Sequence, residues 1–272
     1  MDSIEIVVEA AEAELAGGIM WATGVAGIEE RSEGGGRVRL IAGVPEEATD
    51  AVVAALEVHW PVTRGRLEPD RWIDSWRPYA KAARISGGIV VQPPWIEPIA
   101  GPDDVVISLD PGRAWGHGAH PSTLLAAEDL VAVDHLAGRS VLDVGCGSGL
   151  LSIVAAVRDA GRIVAVDIDP AAIEATLANA TVNGLDGRID VSSTPVRLVD
   201  GPFDVVVANI GLGVLVELSV ALTELVARRG SLILSGLLDD QVDAAAAAYP
   251  AFAEHHRREL DGWASIVLVH PA

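Results

Sequence analysis

The chain has 272 residues, with 39 acidic side chains against 19 basic ones and a formal net charge of -20. A surface so poor in lysine and arginine is unsuited to neutralising nucleic-acid phosphates or to lying on an anionic membrane. Half of the residues are hydrophobic and 21% are charged, the balance of a globular chain rather than a disordered one.

With only 4% aromatic residues, the core must be built from Ala, Val, Leu and Ile. The single Cys146 cannot form an internal disulfide, and the acidic start MDSIEIVVEAAEAE lacks the basic flank of a signal peptide. No uninterrupted apolar run approaches the roughly 20 residues of a membrane span. The expectation is a cytoplasmic protein.

In chain order, Ser3–Val8 predicts a strand and Glu12–Thr23 a helix. Gly27–Arg31 and Arg37–Ala42 predict strands around the turn Ser32–Gly36. Pro45 opens a second helix reaching Trp60, with Glu46, Glu47 and Asp50 where the helix dipole favours acids. Val62–Leu67 predicts a last strand. The order β-α-β-β-α-β suggests a small α+β ferredoxin-like domain over residues 1–68. Residues 69–100, rich in Trp, Pro and Gly, read as a connector. There Trp72 and Trp76 share a helical face, which points to packing rather than a ligand cage.

From about residue 101 to the end, apolar strands alternate with helices. The strands are Ser140–Val144, Arg162–Asp167, Arg188–Ser192, Phe203–Ala208 and Ser231–Ser235. The helices are Gly149–Val157, Pro170–Asn183, Leu212–Arg229 and Asp239–Ala248. Glu254–Leu260 and Ala264–His270 form a hairpin turning at Asp261-Gly262. The fold class is therefore α/β: a Rossmann-like parallel sheet covered on both faces, with a terminal antiparallel strand.

The chemistry is carried by VLDVGCGSGLLS (Val141–Ser152), where Gly145, Gly147 and Gly149 sit between a strand and a helix. Glycines there let a ligand press against the backbone at a helix N-terminus. Asp167, at the end of the next strand, is placed to accept the hydroxyls of a ribose. The third glycine comes one residue too early for a nicotinamide fingerprint. Asp143 would oppose a pyrophosphate but suit the ammonium of a methionine moiety. The pattern D-x-G-x-G-x-G is that of S-adenosylmethionine methyltransferases. Asn209 ends the strand of FDVVVANIG at the carboxyl edge of the sheet. Its carbonyl can hold an amine nucleophile, or it can be an ordinary turn residue.

The stretch LDPGRAWGHGAHPST (Leu109–Thr123) predicts a lid or cofactor loop opening a helix at Pro121 and Thr123. His117 and His120 lack the further ligands of a metal site, so no metal is expected. His120 is also a candidate proton acceptor. Cys146 has no paired base and reads as a small buried residue.

Together these segments resemble the PrmA family, the methyltransferases of ribosomal protein L-eleven. The likeness spans nearly the whole chain and is most distinctive in DPGRAWGHGAHPST, DVGCGSG, AVDIDP, VVVANI and LSGLLDDQ. It implies a class I S-adenosylmethionine-dependent methyltransferase domain over 101–272, which transfers methyl groups to protein amino nitrogens. It implies that Thr123, Gly145, Asp167 and Asn209 bind the cofactor, with Asn209 where the acceptor nitrogen approaches. It further implies that residues 1–68 recognise a basic ribosomal protein. Residues 1–70 carry 14 acids and 5 bases, which fits such a partner. The chain departs from the family loop DPGLAFGTGTHPTT at Arg113, Trp115, His117, Ala119 and Ser122, and Ile210–Leu215 lacks the family's proline. These changes surround the acceptor and not the cofactor, so a small molecule or another protein stays the alternative acceptor.

Overall fold

The computed structural model describes residues 2–25, 27–66, 81–97, 99–110 and 118–271. The chain divides into two compact units, Met1–Tyr79 and Ala80–Ala272. The first contains β1 (Asp2–Glu9), α1 (Ala13–Ala22), β2 (Gly27–Gly34), β3 (Arg37–Val44), α2 (Thr49–Glu57) and β4 (Thr63–Arg66). The sheet order is β2-β3-β1-β4, and every neighbouring pair is antiparallel. Strand periodicity sends Ile4, Ile6 and Val8 of β1, and Val38, Leu40 and Ala42 of β3, to one face. They pack with Ala16 and Met20 of α1 and with Val52, Val53 and Leu56 of α2. The second helix is shorter than Pro45–Trp60, because Glu46–Ala48 forms a 3-10 turn before α2.

The second unit begins with a small sheet of β5 (Ala83–Ile85), β6 (Ile89–Gln92) and β7 (Val105–Ser108). The stretch 69–100 is thus more than a connector: two strands lie within it and belong to the second unit. The expected helical face of Trp72 and Trp76 lies outside the described residues. The chain continues through α3 (Pro121–Val131), β8 (Val141–Val144), α4 (Leu150–Val157), β9 (Ile163–Val166) and α5 (Pro170–Val182). It then forms β10 (Asp190–Ser192), β11 (Phe203–Asn209), α6 (Leu212–Glu217), α7 (Ser219–Leu225) and β12 (Val226–Leu238). Helix α8 (Val242–Ala247) and the hairpin β13 (Ala253–Leu260) with β14 (Trp263–Val269) complete it.

Seven strands form the main sheet in the order β10-β9-β8-β11-β12-β14-β13. The first five run parallel, and β14 is antiparallel to both of its neighbours. One face carries Val141, Ile163, Ala165, Val205 and Val207 against Ala126 and Leu130 of α3 and Ile153 and Val154 of α4. The other carries Leu142, Val144, Val164, Val206 and Ala208 against Leu215, Leu222, Val242 and Tyr249. Burial on both faces explains why these strands read as unbroken apolar runs.

The single helix expected over Leu212–Arg229 is not formed. Two short helices occupy Leu212–Leu225, and β12 begins at Val226, pairing with Phe203. Past Gly213 the stretch has no Gly or Pro to separate helix from buried strand, and here sheet pairing takes its end. The strand order reverses between β8 and β11, so a crevice opens at their carboxyl ends.

Candidate functional site

The loop after β8 occupies that crevice. Gly145, Gly147 and Gly149 all have positive φ, at +74°, +53° and +84°. A Cβ on Gly145 would lie 2.6 Å from Ile210 Cγ2, and one on Gly149 would lie 2.8 Å from Thr176 Cγ2. Both conformation and space therefore demand glycine at these two positions.

The loop's own N–H groups are largely spent within the protein. Gly145 and Cys146 donate to Val166 O, Gly149 donates to Cys146 O, and Gly147 donates to Asp167 Oδ2 at 3.0 Å. Four N–H groups that could cradle a pyrophosphate already have acceptors, which disfavours a dinucleotide. Asp167 takes the Gly147 N–H on one oxygen and the Asp169 N–H, at 2.9 Å, on the other. Its carboxylate is thereby fixed, with lone pairs left for vicinal hydroxyls. Beside it Ile168 is 93% exposed, an apolar ledge at the sheet's carboxyl edge that the sequence reading did not single out.

Asp143 is fully buried on β8. Its Oδ2 accepts from Ser152 Oγ at 2.6 Å and from Ser152 N at 3.0 Å, while Oδ1 has no partner. Burial pushes its pKa up to about 6, with the neighbouring Asp167 charge adding, against the pull of the Ser152 hydrogen bonds. A buried, orphaned carboxylate oxygen is costly unless a donor or cation completes it. A cofactor that brings positive charge to this loop fits that requirement.

Across the crevice, Asn209 at the end of β11 donates from Nδ2 to Thr123 Oγ1 at 3.1 Å. Thr123 lies in the first turn of α3 and is 5% exposed. The helix start is fixed by Ser235 Oγ, which donates to Ser122 O at 2.8 Å. His120 Nδ1 lies 2.9 Å from Ser122 Oγ, and its ring meets Trp263 edge-on at 4.6 Å. Farther along α3, buried Asp129 accepts from Ser265 Oγ, Arg258 Nε and His256 Nε2, clamping the helix to the terminal hairpin. None of these anchors is visible as a motif, because their members lie far apart in the chain.

Helix α5 supplies a polar stripe; its Asn179 and Asn183 belong to the stretch that resembles the family, but the sequence assigns them no role. Thr176 Oγ1 donates to Gly147 O, and Asn179 Nδ2 donates to both Ser148 O and Asp110 O. Asn183 Nδ2 donates to Ser108 O. The apolar Leu177 and Val182 of the same helix are exposed. Apolar periodicity is therefore the wrong signal here; the i, i+3, i+7 spacing of the polar Thr176, Asn179 and Asn183 is the usable one. Cys146 is buried beside Thr176, and burial pushes its thiol up to about 12, so it is no nucleophile. His117 and the altered positions Arg113 and Trp115 lie outside the described residues. Among the described residues, no cluster of three or more His, Cys, Asp or Glu could hold a metal ion.

A parallel sheet with a terminal antiparallel hairpin, a glycine loop closed to pyrophosphate and an acid at the next strand end define a class I methyltransferase. The ribosomal protein L11 methyltransferase (PrmA) family model matches residues 38–271, and the chain belongs to that family. A ribosomal protein L11 methyltransferase of Sorangium cellulosum (strain So ce56) is 39% identical over 252 residues, covering 88% of this chain and 79% of the relative. One of Geobacter sp. (strain M21) is 43% identical over 188 residues, covering 67% of this chain and 61% of that relative. The crystal structure of a ribosomal protein L11 methylase from Lactobacillus delbrueckii subsp. bulgaricus superposes with a TM-score of 0.63 at 29% identity. That match covers 70% of this chain and 99% of the other. The methyl donor is S-adenosylmethionine. Among the described residues, no helix is long and apolar enough to cross a membrane.

Proposed function

We propose that this chain methylates amino nitrogens of ribosomal protein L11, the substrate named for its relatives. The observation that carries the reading is the Asn209–Thr123 hydrogen bond, which joins two segments 86 residues apart at the crevice. It fixes the Asn209 carboxamide so that Oδ1 is the acceptor turned to an incoming amine. When bound, S-adenosylmethionine supplies an electrophilic methyl group on a sulfonium. Asp167 would hold the ribose hydroxyls, and exposed Ile168 would offer the purine an apolar surface. Asp143 Oδ1 would take the ammonium of the methionine portion, and Gly145, Gly147 and Gly149 keep the wall free of side chains.

The chain's part in the reaction is orientation and desolvation. A lysine side chain has a solution pKa near 10.4, so roughly 0.1% or less is neutral at pH 7. Exclusion of water disfavours its charged form. Asn209 Oδ1 then aligns the remaining N–H so that the lone pair faces the methyl carbon. His120, close to Thr123, is the candidate to receive the released proton.

The first unit serves as the recognition module in this reading. Its βαββαβ order and β2-β3-β1-β4 sheet support a ferredoxin-like sandwich. Its excess of acids supports a basic protein partner, and action on a ribosomal protein is compatible with a cytoplasmic enzyme. The test is incubation of the purified protein with methyl-labelled S-adenosylmethionine, ribosomal proteins and a small-metabolite extract. Label on L11 is expected. Label confined to metabolites would replace this reading with that of a small-molecule methyltransferase.

A further inference from the structure

We infer that Asn179 is a positioning residue that ties the cofactor loop to the segment leading towards the acceptor; this rests on the methyl-transfer reading above. Asn179 is 3% exposed on the inner face of α5. Its amide nitrogen donates to Ser148 O and to Asp110 O, each at 2.9 Å, and its Oδ1 accepts the Asp110 N–H at 3.0 Å. Ser148 stands between Gly147 and Gly149. Asp110 is the last described residue before 111–117, beyond which the chain reaches Thr123. One carboxamide thus bridges the wall of the cofactor site and the root of the segment that ends at Thr123.

The bridge has little slack. Both amide hydrogens are committed to separate backbone carbonyls. Thr176, one turn earlier on α5, holds Gly147 O at 3.1 Å. Gly147 N is in turn held by Asp167, three residues before α5 begins. The glycine loop, Asp167 and α5 form a closed ring of hydrogen bonds, and Asn179 is its exit towards Asp110. A ligand that settles the glycine loop therefore settles Asp110 through Asn179.

Asn183 provides the internal control. One turn farther along α5 it makes the same two-way pairing with a strand backbone, at 2.8 Å to Ser108 N and 2.7 Å to Ser108 O. Its other bond goes to Asn179 O within the helix, and none reaches the glycine loop. Loss of either asparagine removes comparable backbone contacts, but only loss of Asn179 cuts the bridge.

The experiment compares wild type with Asn179→Ala, Asn179→Asp and Asn183→Ala. It reads S-adenosylhomocysteine affinity by calorimetry and amide exchange at Asp110 with and without that ligand. The aspartate variant keeps the acceptor for Asp110 N–H and loses both donors without changing size, so it remains informative should the alanine variant fold poorly. Both Asn179 variants should bind S-adenosylhomocysteine about 10-fold more weakly, and Asn183→Ala within about 3-fold of wild type. In wild type and Asn183→Ala the ligand should slow exchange at Asp110; in the Asn179 variants it should not. Wild-type affinity and ligand-induced protection in the Asn179 variants would overturn this inference alone. Failure of the wild-type chain to bind S-adenosylhomocysteine would overturn the methyl-transfer reading and this inference with it.

Discussion

The substitution Asp143→Asn separates what that carboxylate costs the fold from what it gives the cofactor. Its pKa rises from 3.8 to about 6 on burial, and two units correspond to about 3 kcal/mol. Because the folded value lies above the unfolded one, the protonated group favours folding fully below pH 3.8. That contribution is lost as pH rises through about 6. At about pH 7.5 the native state therefore bears the cost of a buried, half-partnered charge. The asparagine would keep an oxygen for Ser152 and put an NH2 at the orphaned position, where an unmet donor costs about 1–3 kcal/mol. The net change in the ligand-free protein at about pH 7.5 is thus about 0–2 kcal/mol in favour of the variant. This corresponds to a Tm raised by about 0–8 °C for a unit of this size. At about pH 5 the advantage should shrink by about 1–1.5 kcal/mol, and below pH 3.8, where Asp143 is neutral in both states, it should be gone.

Ligand binding should move the other way. Losing a charge-assisted bond to the ammonium costs about 1.5–3 kcal/mol, so S-adenosylhomocysteine should bind roughly 10- to 100-fold more weakly. Methylthioadenosine, which lacks the amino-acid portion, should bind both proteins equally. Scanning calorimetry at the two pH values and titration calorimetry with both ligands measure all of this. An equal loss for the two ligands, or a Tm several degrees lower near neutral pH, would refute the assignment and make Asp143 a structural support of the loop.

Three further substitutions probe the site. Asn209→Ala should lower kcat by about 100-fold or more and cofactor affinity by clearly less, measured by methyl transfer and calorimetry. Gly149→Ala forces a Cβ to 2.8 Å from Thr176 Cγ2 and 3.0 Å from its Cα, at a φ of +84°. The variant should lose about 2–4 kcal/mol in denaturant titrations and bind S-adenosylhomocysteine poorly. Asp129→Asn weakens the clamp between α3 and the terminal hairpin. Arg258 and His256 are partly exposed and regain water, so the loss should be about 2–3 kcal/mol, read as a Tm about 4–12 °C lower.

The parts of the site that lie on consecutive residues were legible in the sequence. The glycine loop follows β8 and opens α4 as expected, Asp167 stands at the end of β9, and Asn209 ends β11. Each is announced by an apolar strand and a change of residue type at its end. The terminal hairpin was equally plain, because Asp261-Gly262 punctuates it. Contacts between distant segments were not legible. Ser152 beside Asp143, Ser235 beneath Ser122 and Asn179 against Asp110 become neighbours only through the way the chain folds back on its sheet. Helix α5 turns Asn179 inward and leaves Val182 outside, against the usual apolar-in pattern, because its inner face bonds to exposed backbone of β7 and the glycine loop. Strands β5 and β6, three and four residues long, were hidden among glycine and proline where periodicity has no room to show.

We propose that the crevice at β8 and β11 delivers methyl groups to the amino nitrogens of ribosomal protein L11. Mass spectrometry of ribosomal proteins from cells with and without this protein tests it most directly. Mass additions of about 14 Da per methyl are expected on L11, mapped to amino groups, present in the first cells and absent from the second. Identical L11 masses in both would contradict it.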